Sequence, residues 1–464
     1  MPKRLSPSDA MFLYGESKEM MFHVAGLLLF TRPPRTHPDH LRHLMDDLRS
    51  DPPPVHSPWN LRLRTPDLLR NPLQSWVEAD SVDLEYHVRR TALPSPGDER
   101  ELGIVVSRLH GHHIDFHRPP WELHLIEGLD RERFAIYVKV HHALVDGFTA
   151  MRLLVNALST DPEDRERPLF FSVPQPERVR APREPREAPP EPGGLHFPEL
   201  LAAVRAQYGA TKTVIRALRK VITGEDDLVT PRQAPRCIIN ARISRSRRFA
   251  TQSLEIDRLK AIARAAGGTL NDAILAISSA SLRRYLLERD ALPAEPLIAM
   301  VPVAVRAKDD AGGGNAVGAI LASLATHQSD PVKRIAEIVA STRHAKQQLQ
   351  GMSKAAILSY SALLLAPSML QTVPGIAGRI KPTYNVVISN VPGPDHSLYF
   401  RGAKLEASYP MSIPIHGQAL NITCNSYAGH MCFGFTGCRD TLPHLQRLAV
   451  FAGEALVELE RAVL

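Results

Sequence analysis

The sequence predicts an α/β protein built from two domains. Three observations carry that expectation. Short apolar runs alternate with helical patterns up to about residue 165; a segment dense in proline and charge interrupts them; and a second run of strand-like and helical patterns begins near Cys237. At 464 residues the chain also exceeds what one hydrophobic core usually supports.

In the first part, VAGLLLF (Val24 to Phe30) and FAIYVKV (Phe134 to Val140) suit buried strands, and PDHLRHLMDDLRS between them suits a helix. From Pro174 to Gly194 the chain reads PQPERVRAPREPREAPPEPGG, which has too few aliphatic residues to order itself around a core. The helix pattern that follows carries Leu200, Leu201, Val204, Tyr208, Ile215, Leu218 and Ile222 on one side. Arg205, Lys212, Arg216, Arg219 and Lys220 lie on the other. Such a basic amphipathic helix can cover a domain junction, the commoner case, or lie on an anionic bilayer. The expected boundaries are therefore residues 1–165, a connecting segment 166–236, and residues 237–464.

In the second part, SLEIDRLKAIARA predicts a helix, Gly267 and Gly268 break it, and another helix opens near Thr269 or Asn271. LIAMVPVAVRA (Leu297 to Ala307), YNVVISNVPGP (Tyr384 to Pro394) and LNITCNSYAGHMCFGFTGC (Leu420 to Cys438) read as strands with turns. The apolar run Ala355 to Leu370 is broken by Ser359, Ser361 and Pro367, so it suits a buried or interfacial helix rather than a membrane span.

A hydrophobic fraction of 44% and a charged fraction of 23% are those of a folded globular protein. The net charge of +7 suits an anionic membrane surface or a phosphate-bearing substrate. Nucleic acid is disfavoured, because there is neither aromatic-and-basic interleaving nor zinc-finger spacing. The N-terminus lacks the apolar stretch of a secretory signal, which points to the cytoplasm. Cys237, Cys424, Cys432 and Cys438 have no paired spacing and read as reduced core thiols.

The chemistry concentrates in VKVHHALVDG, Val138 to Gly147. Val138 and Val140 suit a buried strand, and Asp146 suits the N-cap of a helix beginning DGFTAMRLLVN. As a metal site the stretch is weak: adjacent His141 and His142 point in different directions on extended backbone, and nothing else completes a coordination sphere. The HGHH run at His110 to His113 does not change this. One core histidine needs no explanation, but two beside Asp146 and Gly147 do. As a catalytic site, one imidazole serves as general base while its other nitrogen is fixed by a neighbour. No GxSxG elbow offers a serine nucleophile, so the simplest chemistry is direct attack by an acceptor on an activated acyl group.

The HHxxxDG pattern resembles the acyl-CoA-dependent acyltransferases of the chloramphenicol-acetyltransferase fold, and equally the condensation domains of nonribosomal peptide synthesis. Other stretches separate the two. RLSPSDAMFLYGES, FHVAGLLLF, IDFHRPPWELHLIEGL, LNDAILA (Leu270 to Ala276), VPVAVR (Val301 to Arg306), GGGNAVG and SNVPGP (Ser389 to Pro394) resemble, in order, the bacterial wax ester synthase/diacylglycerol acyltransferase family. The family's PLW is Pro119-Pro120-Trp121 here and its NDVVLA-like block is NDAILA, departures that bear on acceptor preference.

The resemblance implies two similar chloramphenicol-acetyltransferase-like domains, with mixed sheets flanked by helices and the active site at their interface. It places the catalytic base on His142, with His141 in support, and gives Asp146 a structural role with Arg306 as its partner; Asp146 and Gly147 would hold the loop. Asn271 falls at a position near the active site, or equally serves as an N-cap. Ser389, Asn390 and the following Pro-Gly-Pro are expected to shape a turn, and Trp121 to pack. The implied substrates are acyl-CoA, as co-substrate with no other cofactor and no metal, and diacylglycerol or a fatty alcohol. The implied location is cytoplasmic, on the inner face of the membrane or on lipid droplets. A condensation-type enzyme using a carrier-protein thioester or an amine acceptor is the alternative.

Overall fold

The computed structural model describes residues 3–5, 7–33, 37, 39–71, 73–174, 229, 233–305, 316–350, 352–369 and 379–464. The expected basic helix after residue 195, the proline-arginine segment beyond residue 174, Arg306 and the glycines at 312–314 lie outside the described residues.

The N-terminal elements are β1 (Lys3–Arg4), α1 (Pro7–Tyr14), β2 (His23–Thr31), α2 (His40–Ser50), β3 (Leu61–Leu63), β4 (Ser75–Glu78), α3 (Leu84–His87), β5 (Val88–Ala92), α4 (Glu99–His110), β6 (Trp121–Glu127), β7 (Arg133–His141) and α5 (Gly147–Asn156). The C-terminal ones are β8 (Arg247–Glu255), α6 (Ile256–Ala265), α7 (Leu270–Leu287), β9 (Ile298–Val305), β10 (Ala316–Ser323), α8 (Pro331–Leu349), α9 (Lys354–Met369), β11 (Val386–Val391), β12 (Tyr399–Phe400), β13 (Ala403–Met411), β14 (Leu420–Tyr427), β15 (His430–Cys438) and α10 (Arg447–Val463). Among the described residues, the apolar runs singled out in the sequence fall in these strands and helices.

Two six-stranded sheets organise the molecule, in the orders β12-β13-β2-β7-β6-β5 and β10-β9-β11-β14-β15-β8. Both are mixed: β5 runs parallel to β6, and β11 runs parallel to β9 and β14, while the other neighbours are antiparallel. A third, small sheet, β1-β4-β3, packs Leu61, Leu63 and Trp76 with Leu13 and Ala143 beneath the loop after β7.

The sheets do not divide where the chain does. Residues 399–411, from the C-terminal part, complete the N-terminal sheet, with Leu405 opposite Phe30 and Met411 opposite Ala25 on β2. Local pattern can identify such a segment as a strand but not which sheet receives it.

Helix α7 is buried along nearly its whole length between the second sheet and helices α6, α8 and α10. Its buried residues are accordingly mostly apolar or small, and the buried hydroxyls of Ser278 and Ser281 donate to the carbonyls of Ile274 and Leu448 at 2.9 and 2.7 Å. Its N-cap is Thr269, whose backbone N–H and hydroxyl both donate to Asp272 at 2.7 Å. The N-cap reading of Asn271 is thus corrected, since the Thr-x-x-Asp capping box starts two residues earlier. Gly267 sits at φ +63 in the break before it, where a side chain would be strained.

Candidate active site

Between the two sheets lies a cavity of about 780 Å³, within the roughly 300 to 1,000 Å³ typical of ligand sites. Side chains alternate across each strand, so its walls follow from the register. Val24 pairs with Val140 and Gly26 with Val138 on β2 and β7, and these face the cavity together with Ala150, Met151 and Leu154 of α5. Across from them, parallel pairing sets Val387 beside Asn421, Ser389 beside Thr423 and Val391 beside Asn425. The alternate residues Ile388, Leu420, Ile422 and Cys424 point into the C-terminal core.

His142 stands where β7 ends, and it lines the cavity. Its backbone N–H donates to Phe22 O at 2.8 Å, and the Phe12 ring lies over its imidazole with centroids 4.1 Å apart. The buried Nδ1 has no hydrogen-bond partner of good geometry among the described residues, which leaves Nε2 as the nitrogen able to exchange a proton with a ligand. Burial lowers the pKa of the ring below 6.5, with His141 adding to the effect; the carboxylates of Asp146 and Asp9 oppose it. The ring is therefore neutral at pH 7, the state a general base requires.

His141 points to the other face of the sheet and is fully buried. Its Nδ1 accepts from the Ala143 N–H at 3.2 Å, so Nε2 carries the proton and donates it to Glu16 Oε1 at 3.0 Å. The same oxygen accepts the Phe22 N–H at 2.9 Å. Glu16 thus ties His141 to the backbone that holds His142. The sequence argument missed Glu16, although YGES belongs to the quoted N-terminal stretch; nothing local shows that this acid reaches a residue 125 positions away.

Asp146 is the N-cap of α5, as its position implied: its carboxylate accepts from the Thr149 N–H and hydroxyl at 2.9 and 2.7 Å. Nothing in the backbone demands a glycine at 147, because a Cβ there would meet no atom within 4 Å; the bare position instead leaves room in the cavity wall. Arg306, the expected partner of Asp146, is outside the described residues. Asn271, in the first turn of α7, is not among the residues lining the cavity. Ser389 and Asn390 are not turn residues: they lie inside β11 and line the cavity. The turn follows them, where a Cβ on Gly393 would sit 2.1 Å from Ser426 O, so the backbones can approach only at glycine. Trp121 packs, fully buried, with its indole N–H donating to Trp59 O at 2.7 Å.

Asn421, Thr423 and Asn425 also escaped the sequence reading. Their alternation in LNITCN looks like an ordinary solvent-facing strand, yet all three are buried where the two sheets face each other. Asn425 donates to Ser408 Oγ at 3.3 Å, while its Oδ1 is buried without a partner among the described residues, an acceptor left open beside the cavity. No group of three or more histidine, cysteine or acidic side chains suited to a metal exists among the described residues.

Behind the N-terminal sheet lies a layer of buried polar groups. Lys139 donates to the carbonyls of Leu109 and His112 and pairs with Glu122 at 3.1 Å. Burial pulls the Glu122 carboxyl up, but hydrogen bonding to His124 and the charges of Lys139 and Arg89 outweigh it and hold the group down at about 2. His110 donates from Nε2 to Ser412 O at 3.1 Å and accepts the Tyr137 hydroxyl on Nδ1 at 3.0 Å; burial lowers it to about 3.

Comparison with known proteins agrees with this geometry. Residues 5–274 match the model for the wax ester synthase/diacylglycerol acyltransferase catalytic domain, and residues 313–460 match the C-terminal domain of the same proteins. A putative diacylglycerol O-acyltransferase of Mycobacterium tuberculosis is 50% identical over 99% of this chain and 97% of its own length. The O-acyltransferase WSD of Acinetobacter baylyi is 39% identical over 99% and 97%. Among solved structures, the wax ester synthase/diacylglycerol acyltransferase from Marinobacter aquaeolei superposes with a TM-score of 0.79 at 39% identity, covering 99% of both chains. A condensation domain of the calcium-dependent antibiotic synthetase shares the fold, with a TM-score of 0.55 at 15% identity.

Proposed function

The chain belongs to the wax ester synthase/diacylglycerol acyltransferase family, and from that membership we propose that His142 is the general base by which it moves a long-chain acyl group from acyl-CoA to diacylglycerol, and to a fatty alcohol. The carrying observation is the neutral imidazole of His142 on the wall of a largely apolar cavity.

The acceptor hydroxyl gives its proton to Nε2 as its oxygen attacks the thioester carbonyl. Collapse of the tetrahedral adduct breaks the C–S bond, and the same proton leaves with the thiolate as free CoA. An alcohol is far less acidic than imidazolium, so proton transfer accompanies attack. No other cofactor is needed. The apolar walls exclude water, which would otherwise compete as acceptor.

Diacylglycerol resides in bilayers, and two features suit work at a lipid surface. The chain carries a net charge of +7, and α9 leaves the apolar Leu363 51% exposed. These two features support a peripheral association, at the inner face of the membrane or a lipid droplet; among the described residues no helix is long and apolar enough to cross a membrane.

Purified enzyme supplied with labelled palmitoyl-CoA and a panel of acceptors tests this reading. Triacylglycerol should form from diacylglycerol and wax ester from hexadecanol. Product only from amines, or only from carrier-bound acyl groups, would move the protein to condensation chemistry.

A further inference from the structure

The segment between α1 and β2, residues 15–22, is gripped from two sides. Toward the N-terminal lobe, the Glu16 carboxylate accepts from His141 Nε2 at 3.0 Å, and Phe22 O accepts the His142 N–H at 2.8 Å. Toward the C-terminal lobe, Met20 is buried in that lobe's apolar core, and Glu19 O accepts from Arg247 Nη2 at 2.6 Å. A tight turn joins the two grips: the Ser17 N–H donates to Met20 O at 2.9 Å, and the Met20 N–H donates to Ser17 Oγ at 3.1 Å. A displacement of Glu19 is therefore passed across that turn to Glu16.

Arg247 is built as a fixed point. It opens β8, where it lies opposite Cys438 of β15, and β8 is tied to α4 by the Phe249 N–H, which donates to Ser107 Oγ at 2.9 Å. Arg247 is 4% exposed, and Nη1 donates to Ser244 O at 2.6 Å, within the C-terminal lobe. The planar guanidinium thus joins one carbonyl of each lobe, a fork that a lysine ammonium, a single point charge, does not reproduce. Burial lowers its pKa to about 10, with Cys438 and Glu16 opposing the fall, so it is cationic at pH 7. Taking a cation out of water is costly, and among the described residues no carboxylate within ion-pair distance offsets that cost. An arginine kept in such a place is suited to fixing backbone rather than to meeting a counter-ion.

We propose that Arg247 is a positioning residue for the histidine pair: from the C-terminal lobe it fixes the Glu19 carbonyl, through it the Glu16 carboxylate and the Phe22 carbonyl, and so the aim of His142. The imidazole is then set by both lobes at once and is aligned only while they stay docked. This rests on the reading of His142 as general base.

Full-length Arg247→Gln tests it against wild type and against Arg131→Ala, an arginine 83% exposed in the turn before β7. With palmitoyl-CoA and diacylglycerol, kcat should fall at least about tenfold while both KM values stay within about twofold, since misplacing a reacting group by about 1 Å costs up to about a hundredfold. Arg247→Lys should lie between, at least about threefold below wild type. Arg247→Gln combined with Glu16→Ala should be about as slow as the slower single variant, because both act on His142 through one loop. Losses that multiply would overturn the proposal by making the two residues independent. So would a folded Arg247→Gln with kcat within about twofold of wild type, or a raised KM with kcat intact, which would put Arg247 against substrate. If circular dichroism shows that Arg247→Gln does not fold, Arg247→Lys decides by the same readouts. Failure of the general-base reading looks different: His142→Ala would then keep wild-type transfer, whatever Arg247 does.

Discussion

The two sheets face one cavity but are built differently on their far sides. Behind the N-terminal sheet lie His23, His110, Glu122, Tyr137, Lys139 and His141, every one buried, joined by hydrogen bonds and ion pairs into a layer that reaches Glu16. Behind the C-terminal sheet lies a continuous apolar core in which α7 buries Ile274, Leu275, Ile277 and Leu282 completely. A buried polar network specifies one arrangement because each member is costly to leave unpaired, whereas an apolar core tolerates rearrangement. On the proposed reading, the lobe that aims the His142 imidazole relies on the first device, and the lobe that faces it relies mainly on the second.

The contrast can be broken from either side. The largest effect belongs to His142→Ala, which should lower kcat by roughly 100 to 10,000-fold while the fold persists, as circular dichroism would show. In wild type, kcat/KM should fall on acidification only below pH 6.5, because the folded pKa of His142 is lowered and the base works deprotonated. A midpoint at pH 7 or above would deny His142 its role.

Next comes Ile277→Ala in the apolar core, expected to remove about 2 to 5 kcal/mol of stability in denaturant titration yet leave kcat at low temperature near wild type. A large loss of kcat there would mean that the C-terminal core also aims the chemistry. The smallest effect concerns Glu16. Glu16→Ala should lower kcat about tenfold, roughly 1.4 kcal/mol, with KM unchanged, and Glu16→Gln should recover much of it because an amide oxygen can still accept from His141. If both variants raise KM instead, Glu16 touches substrate rather than positioning the pair.

Much of this was legible in the sequence. Apolar runs located the strands on both sides of the cavity, and HHALVDG announced its own strand, loop and N-cap because those depend on neighbours a few residues apart. What escaped has a common cause. Glu16, Asn421 and Asn425 act through contacts whose distance along the chain no periodicity encodes, and β13 joins a sheet whose nearest partner strand begins at His23. Asn271 illustrates the converse: a motif quoted for its resemblance occupies the first turn of a core helix whose cap is Thr269.

Strand β13 gives the molecule a schedule. During synthesis β2 and β7 emerge early and can pair at once, but the edge of β2 that awaits residues 403–411 stays bare until most of the chain has left the ribosome. The newborn N-terminal half therefore carries its histidines on an unfinished sheet. Only a nearly complete polypeptide can close it, so transfer competence arrives late, when the opposing wall of the cavity has also been made.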